Sequence, residues 1–195
     1  MNFLIRDEFP MFLNNCGLMG TGAEIGVQNG LYSEILLDKW KGSCLISIDA
    51  WRHFEDSEYI DIANYTNEQH LDLYADTTLK LREFGERSII WRMTSEEAAK
   101  IMPKNTLDFC YIDAVHSYDG VVQDLELWIP KIKEGGIICG HDFIKDGEHY
   151  DIDGKLIGQF GVQKAVIEYS ERYNWDLHIT KNDDFPSWFA FTRKI

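Results

Sequence analysis

The sequence predicts a doubly wound α/β protein on a mostly parallel sheet, and two observations carry that prediction. Short apolar runs alternate with segments of helical period along the whole chain. Such alternation implies parallel strands with helices on both faces. The stretch Ala23-Glu24-Ile25-Gly26-Val27-Gln28-Asn29-Gly30, followed by Leu31 to Leu37, reads as a buried strand, a glycine turn and the start of a helix. That unit sets the helix's free N–H groups at the carboxyl end of the strand, the edge where open α/β sheets bind ligands.

The 195 residues suffice for one domain, 1–195, with a sizeable core. A net charge of −14 without any basic patch argues against a nucleic-acid partner. No apolar run is long enough for a membrane span, and Met1 to Glu8 lacks the features of a secretion signal. Cys16, Cys44, Cys110 and Cys139 form no Cys-x-x-Cys pair. Three of them lie in or beside apolar runs, so free thiols in a reducing cytoplasm are expected. The aromatics near the N-terminus read as exposed and leave room for a homodimer.

Taken in order, residues 1–21 form an N-terminal cover with Phe3, Leu4, Phe9, Phe12 and Leu13 as apolar contacts, and Pro10 argues against one continuous helix. The first strand is 22–27, the first sheet helix 32–40, stopped at Gly42, and the second strand 44–49. Residues 51–67 lack a period and read as a loop over a ligand. A helix over 68–84 shows Leu71, Tyr74, Ala75, Thr78 and Leu81 at helical spacing. After a strand at 88–92, Thr94 and Glu97 form a capping box, with Met93 and Ala98 as its staple. Pro103 stops that helix. A strand at 107–112 precedes a helix over 119–133, with Val121, Leu125, Trp128 and Ile132 inward. Gly135-Gly136 is a turn before a strand at 137–140. Residues 141–160 are polar and too long for a connector, so they read as an active-site loop. Val162, Ala165, Val166 and Tyr169 begin a last helix face, before strands at 175–180 and 188–192.

The chemistry-bearing residues fall at strand ends. Glu24 is a carboxylate inside a buried strand, costly without a partner. Gly26-x-x-x-Gly30 is neither the Gly-x-Gly-x-x-Gly of dinucleotide binders nor a phosphate loop. Asp49 ends the second strand about 20 residues past that turn, where an acid can bind ribose hydroxyls. Asp113 ends the fourth strand; His141 and Asp142 end its neighbour. Two carboxylates and an imidazole can hold a divalent cation such as Mg²⁺ or Mn²⁺. His116, three residues past Asp113, can accept a proton.

Glu24-Ile-Gly-x-x-x-Gly30 followed by Asp49 resembles the cofactor site of class I S-adenosylmethionine-dependent methyltransferases. Asp108-Phe-Cys-Tyr-Ile-Asp-Ala-Val-His-Ser-Tyr118 and Gly135-Gly-Ile-Ile-Cys-Gly-His-Asp-Phe143 resemble the small metal-assisted O-methyltransferases of the macrocin group. The resemblance spans residues 22–162. It implies a Rossmann-like methyltransferase fold with a seven-stranded sheet in the order 3-2-1-4-5-7-6, the last strand antiparallel. It implies S-adenosylmethionine bound by Glu24, Gly26, Gly30, Ser33, Asp49, Ala50, Thr94, Ser95 and Asp113. It also implies metal ligands at Asp113, His141 and Asp142, with His141 where an acid is more usual. His116 becomes a general base, and the acceptor a small hydroxylated molecule. Two other readings stand beside this one: an NAD-dependent oxidoreductase, and a non-catalytic cofactor-binding regulatory or assembly module.

Overall fold

The computed structural model describes residues 3–55 and 61–192. Among these residues seven strands make the main sheet: β1 (Thr21–Ile25), β2 (Cys44–Asp49), β3 (Ser88–Arg92), β4 (Leu107–Ile112), β5 (Ile132–Gly140), β8 (His178–Ile179) and β9 (Trp188–Phe191). Their order is β3-β2-β1-β4-β5-β9-β8. β9 runs antiparallel to β5, and the strands from β3 to β5 are parallel. Counted within this sheet alone, the order is the expected one. Two further strands, β6 (Gly147–Tyr150) and β7 (Leu156–Phe160), form a separate hairpin within 141–160, which the sequence reading treats as irregular loop.

Among the described residues six α-helices flank the sheet: α1 (Phe9–Asn15), α2 (Leu31–Lys39), α3 (Asn67–Leu81), α4 (Ser95–Ile101), α5 (Tyr118–Trp128) and α6 (Val162–Tyr173). Every residue of β4 is buried, and its side chains alternate between two cores. Cys110 and Ile112 pack under α4, α5 and α6 with Ala98, Leu125 and Val166. Phe109 and Tyr111 face the other way, toward α1 and α2, with Phe9, Leu36 and Trp40. Among the described residues no helix is long and apolar enough to cross a membrane.

Four expectations need correction. The aromatics Phe3 and Phe9 are buried, with Phe12 packed against the same core, so the surface that suggested a homodimer is interior. The helix over 119–133 ends at Trp128, because Pro130 cannot continue it; a 3-10 turn, Ile129–Lys131, follows, and Ile132 begins β5. Gly135 is therefore inside β5, at φ +78, where the register with β4 slips. In α3 the buried positions are His70, Thr77 and Leu81, while Leu71 is half exposed. The Thr77 hydroxyl donates to the Gln28 carbonyl at 3.2 Å. This helix presents polar groups to the ligand edge, so apolar spacing misjudges its inner face. The predicted loop at 51–67 includes 56–60, which lie outside the described residues.

Candidate active site

A cleft of about 1020 Å³ opens over the carboxyl ends of β1, β2 and β4. Its floor is the turn after β1. Gly26 has φ +85, and a Cβ there would sit 1.9 Å from the Asp113 carbonyl oxygen, so no other residue lets β1 and β4 end so close together. Gly30, at φ +73, caps α2 and faces Thr77; it does not line the cleft.

Glu24 reaches the cleft from the buried face of β1. The Ser33 hydroxyl, in the first turn of α2, donates to it, and Ser47 donates to Ser33 at 3.1 Å. Burial pushes the Glu24 carboxyl up to about 8, although the Ser33 bond works against the shift. Ser33 itself is fully buried and meets the cleft only through Glu24.

At the next strand end, both Asp49 oxygens accept backbone N–H groups. One takes Val27 and Gln28, each at 2.9 Å, and the other takes Trp51 at 2.7 Å. Asp49 therefore ties the glycine turn to the end of β2, with Ala50 beside it on the cleft wall. Across the cleft the Thr94–Glu97 capping box is present as expected. Ser95 donates to Asp124 of α5 and accepts from the Trp128 indole at 2.8 Å.

The ends of β4 and β5 bring a cluster of acids and histidines together. His141 Nδ1 lies 3.1 Å from Asp142 and 3.8 Å from Asp113. One ligand atom from each of Asp113, His141 and Asp142 falls within 4.8 Å of the others. His116 Nε2 lies 2.9 Å from Asp142 and 3.7 Å from Asp113, while Nδ1 lies 2.9 Å from Asp61. The Phe160 ring of β7 stacks on the imidazole at 5.1 Å. Burial alone would lower the His116 pKa, but bonds to Asp113, Asp142 and Asp61 outweigh it and hold it well above the ordinary value. Burial likewise opposes ionisation of Asp142, yet its two histidine partners pull it well below the usual carboxylate range.

Residues 23–143, more than half of the chain, match the family described as Methyltransferase domain. The chain belongs to that family. Its class I fold recurs in cofactor-bound Rv0187 from MTB, at a TM-score of 0.66 and 14% identity, over 98% of this chain and 84% of that one. The O-methyltransferase from Bacillus cereus in complex with SAH is similar at a TM-score of 0.62 and 13% identity, over 96% and 80%. The 1,6-didemethyltoxoflavin-N1-methyltransferase of Burkholderia thailandensis is similar at 0.61 and 11%, over 97% and 80%. No curated protein matches the sequence.

In this methyltransferase the structure gathers Glu24, Gly26, Asp49, Ala50, Thr94, Ser95, Asp113 and His116 on one cleft. His141 lines a second, very small cavity behind Asp113 and His116, and Asp142 is buried between the two histidines. The cleft fits the methyltransferase cofactor on its own chemistry. It offers a buried acid short of a cation, a strand-end acid, a bare glycine cradle and an orphaned imidazole nitrogen. That nitrogen belongs to His70: the residue is buried, its Nε2 lacks a protein partner, and burial lowers its pKa.

Four cleft or cluster residues escape the sequence reading. His70 lies on the misjudged face of α3. Asp124 is buried, and burial lifts its carboxyl to about 6 against the Ser95 bond. Its signal was available, since it falls between Val121, Leu125 and Trp128 on the inward face of α5. Asp61 belongs to an aperiodic segment, and Arg6 to the N-terminal cover. Neither position carries a pattern that points to the sheet edge.

Proposed function

We propose that this methyltransferase transfers a methyl group to a hydroxyl oxygen of a small acceptor, with Mg²⁺ or Mn²⁺ held by Asp113, His141 and Asp142. The carrying observation is the closeness of those three ligand atoms, with Asp113 also lining the cleft. Two carboxylates and one imidazole suit a divalent cation of this kind. The likeness to the macrocin group of O-methyltransferases supports the same reading.

S-adenosylmethionine supplies an electrophilic methyl group on a sulfonium. A cation held by Asp113, His141 and Asp142 would supply positive charge that favours an ionised acceptor oxygen. The chain does the rest by placement. Glu24 and the Gly26 turn hold the methionine end, Asp49 and Ala50 the ribose, and the start of α4 at Thr94 and Ser95 the adenine. His116 is the base in its neutral form: Nδ1–H stays bonded to Asp61, and Nε2, once it has given up the proton it shares with Asp142, takes the acceptor proton, so its raised pKa puts this form on the alkaline side of the ordinary histidine range. Phe160 on one face of the imidazole keeps water off it. Net charge −14 repels phosphate chains, which favours a small acceptor over nucleic acid. Four free cysteines suit a reducing compartment, and we place the enzyme in the cytoplasm.

The test is transfer of labelled methyl from S-adenosylmethionine to a panel of sugars and phenols, with Mg²⁺, with Mn²⁺ and after exhaustive chelation. O-methyl products that need the cation are expected. Full activity after chelation removes the cation, and products methylated only at nitrogen remove the O-methyl assignment.

A further inference from the structure

The N-terminal strap brings a cation to the cofactor cleft. Arg6 lines the cleft beside Glu24, Gly26, Tyr32 and Asp113. The strap is held from several sides. The Arg6 N–H donates to Asp183 at 3.0 Å, and the Arg6 carbonyl accepts the Tyr32 hydroxyl at 3.2 Å. The Leu4 carbonyl accepts Lys181 and Asn182. The guanidinium itself lies 4.8 Å over the Tyr32 ring. Its position is thus fixed before any ligand arrives, which lowers the entropy lost on binding.

Its guanidinium is hydrogen-bonded to Tyr111, but its charge is incompletely paired: among the described residues its one ion-pair partner is Asp113, at 3.9 Å. Charge-assisted hydrogen bonds are about 1 Å shorter. The planar fork has five donors and matches a carboxylate in two-point fashion. Arg52 and Lys100, the other long cations on the cleft, come from beyond β2 and from α4, the nucleoside end. Arg6 stands instead at the β1–β4 end, close enough to Glu24 to act on its charge.

An α-amino acid carries its ammonium and its carboxylate on one carbon, so the two charges must be met by neighbouring groups of opposite sign. We propose that Arg6 binds the α-carboxylate of the methionyl group of S-adenosylmethionine while Glu24 takes the α-ammonium. This rests on the cofactor part of the reading above and is independent of acceptor and metal.

The test is calorimetry on wild type, Arg6→Ala and Arg6→Lys with three ligands. S-adenosylhomocysteine carries both charges, decarboxylated S-adenosylmethionine lacks the carboxylate, and 5′-methylthioadenosine lacks the whole amino-acid arm. Arg6→Ala should weaken S-adenosylhomocysteine roughly 10- to 100-fold and change the other two ligands less than about twofold. Arg6→Lys should recover part of the loss. Equal weakening of all three ligands makes Arg6 a fold residue and overturns the proposal, as does an unchanged affinity for S-adenosylhomocysteine. A wild type that binds none of the three overturns the cofactor reading as well, and the 5′-methylthioadenosine arm separates that case.

Discussion

Glu24 is a carboxylate that its strand makes hard to ionise and that a bound ammonium would restore to charge. Its folded pKa of about 8 lies above the ordinary 4.5. The folded protein therefore keeps a proton that the unfolded chain gives up. The stability tied to that proton is complete below about pH 4.5 and is lost as pH rises through about 8. The cofactor-free protein should lose on the order of a few kcal/mol across that window. Glu24→Gln should flatten the profile of unfolding midpoint against pH while abolishing tight S-adenosylhomocysteine binding. A mutant with the wild-type slope would assign the titration elsewhere. His116 offers a second test at this scale. His116→Ala should cut kcat by about 10²–10⁴-fold with little change in cofactor affinity. A rate within threefold of wild type would mean that the acceptor ionises without it.

On the proposed reading, the element that shapes the acceptor side is the β6–β7 hairpin, which packs beside His116. It lies outside the main sheet and adds nothing to its hydrogen-bond ladder. It reaches the cluster through Phe160 on His116 and through the Asp61–Gly158 bridge. Replacing 147–160 by a short glycine linker should therefore leave the cofactor affinity and the fold largely intact and collapse turnover of the acceptor. Loss of S-adenosylhomocysteine binding in that variant would show that the hairpin supports the cofactor cleft instead. The start of α4 gives a contrasting case. Its capping box satisfies two helix-end groups reciprocally. Thr94→Ala should cost about 1 kcal/mol of stability, read in urea. A variant that unfolds like wild type but binds cofactor poorly would give Thr94 a direct ligand contact.

At the scale of the whole molecule, ligands that bind only the folded protein raise its stability by mass action. Mg²⁺ or Mn²⁺ at a hundredfold excess over its dissociation constant should add about 2.7 kcal/mol, or about 5–10 °C in melting temperature for a chain of this size. The shift should vanish in Asp142→Asn. An equal shift in that variant would place the cation elsewhere on this acidic surface.

The doubly wound architecture was legible because each strand and helix carries its own signal in apolar runs, caps and glycine stops. The strand-end acids were legible too, because alternation of elements dictates which edge they reach. Local patterns also sufficed for the Thr94 capping box and the Gly26 turn. They failed for His70, Asp61 and Arg6. α3 lays a polar face on the ligand edge, so hydrophobic spacing points the wrong way there. Asp61 and Arg6 sit on segments without a period, and only long-range packing carries them to the site. Asp61 meets His116 from 55 residues away. Arg6 meets Asp113 because Asp183 and Tyr32 hold the strap in place. The sequence determined the sheet and its reactive edge; the tertiary structure alone decided which distant charges close over that edge, since such contacts depend on how segments dock and leave no trace in local order.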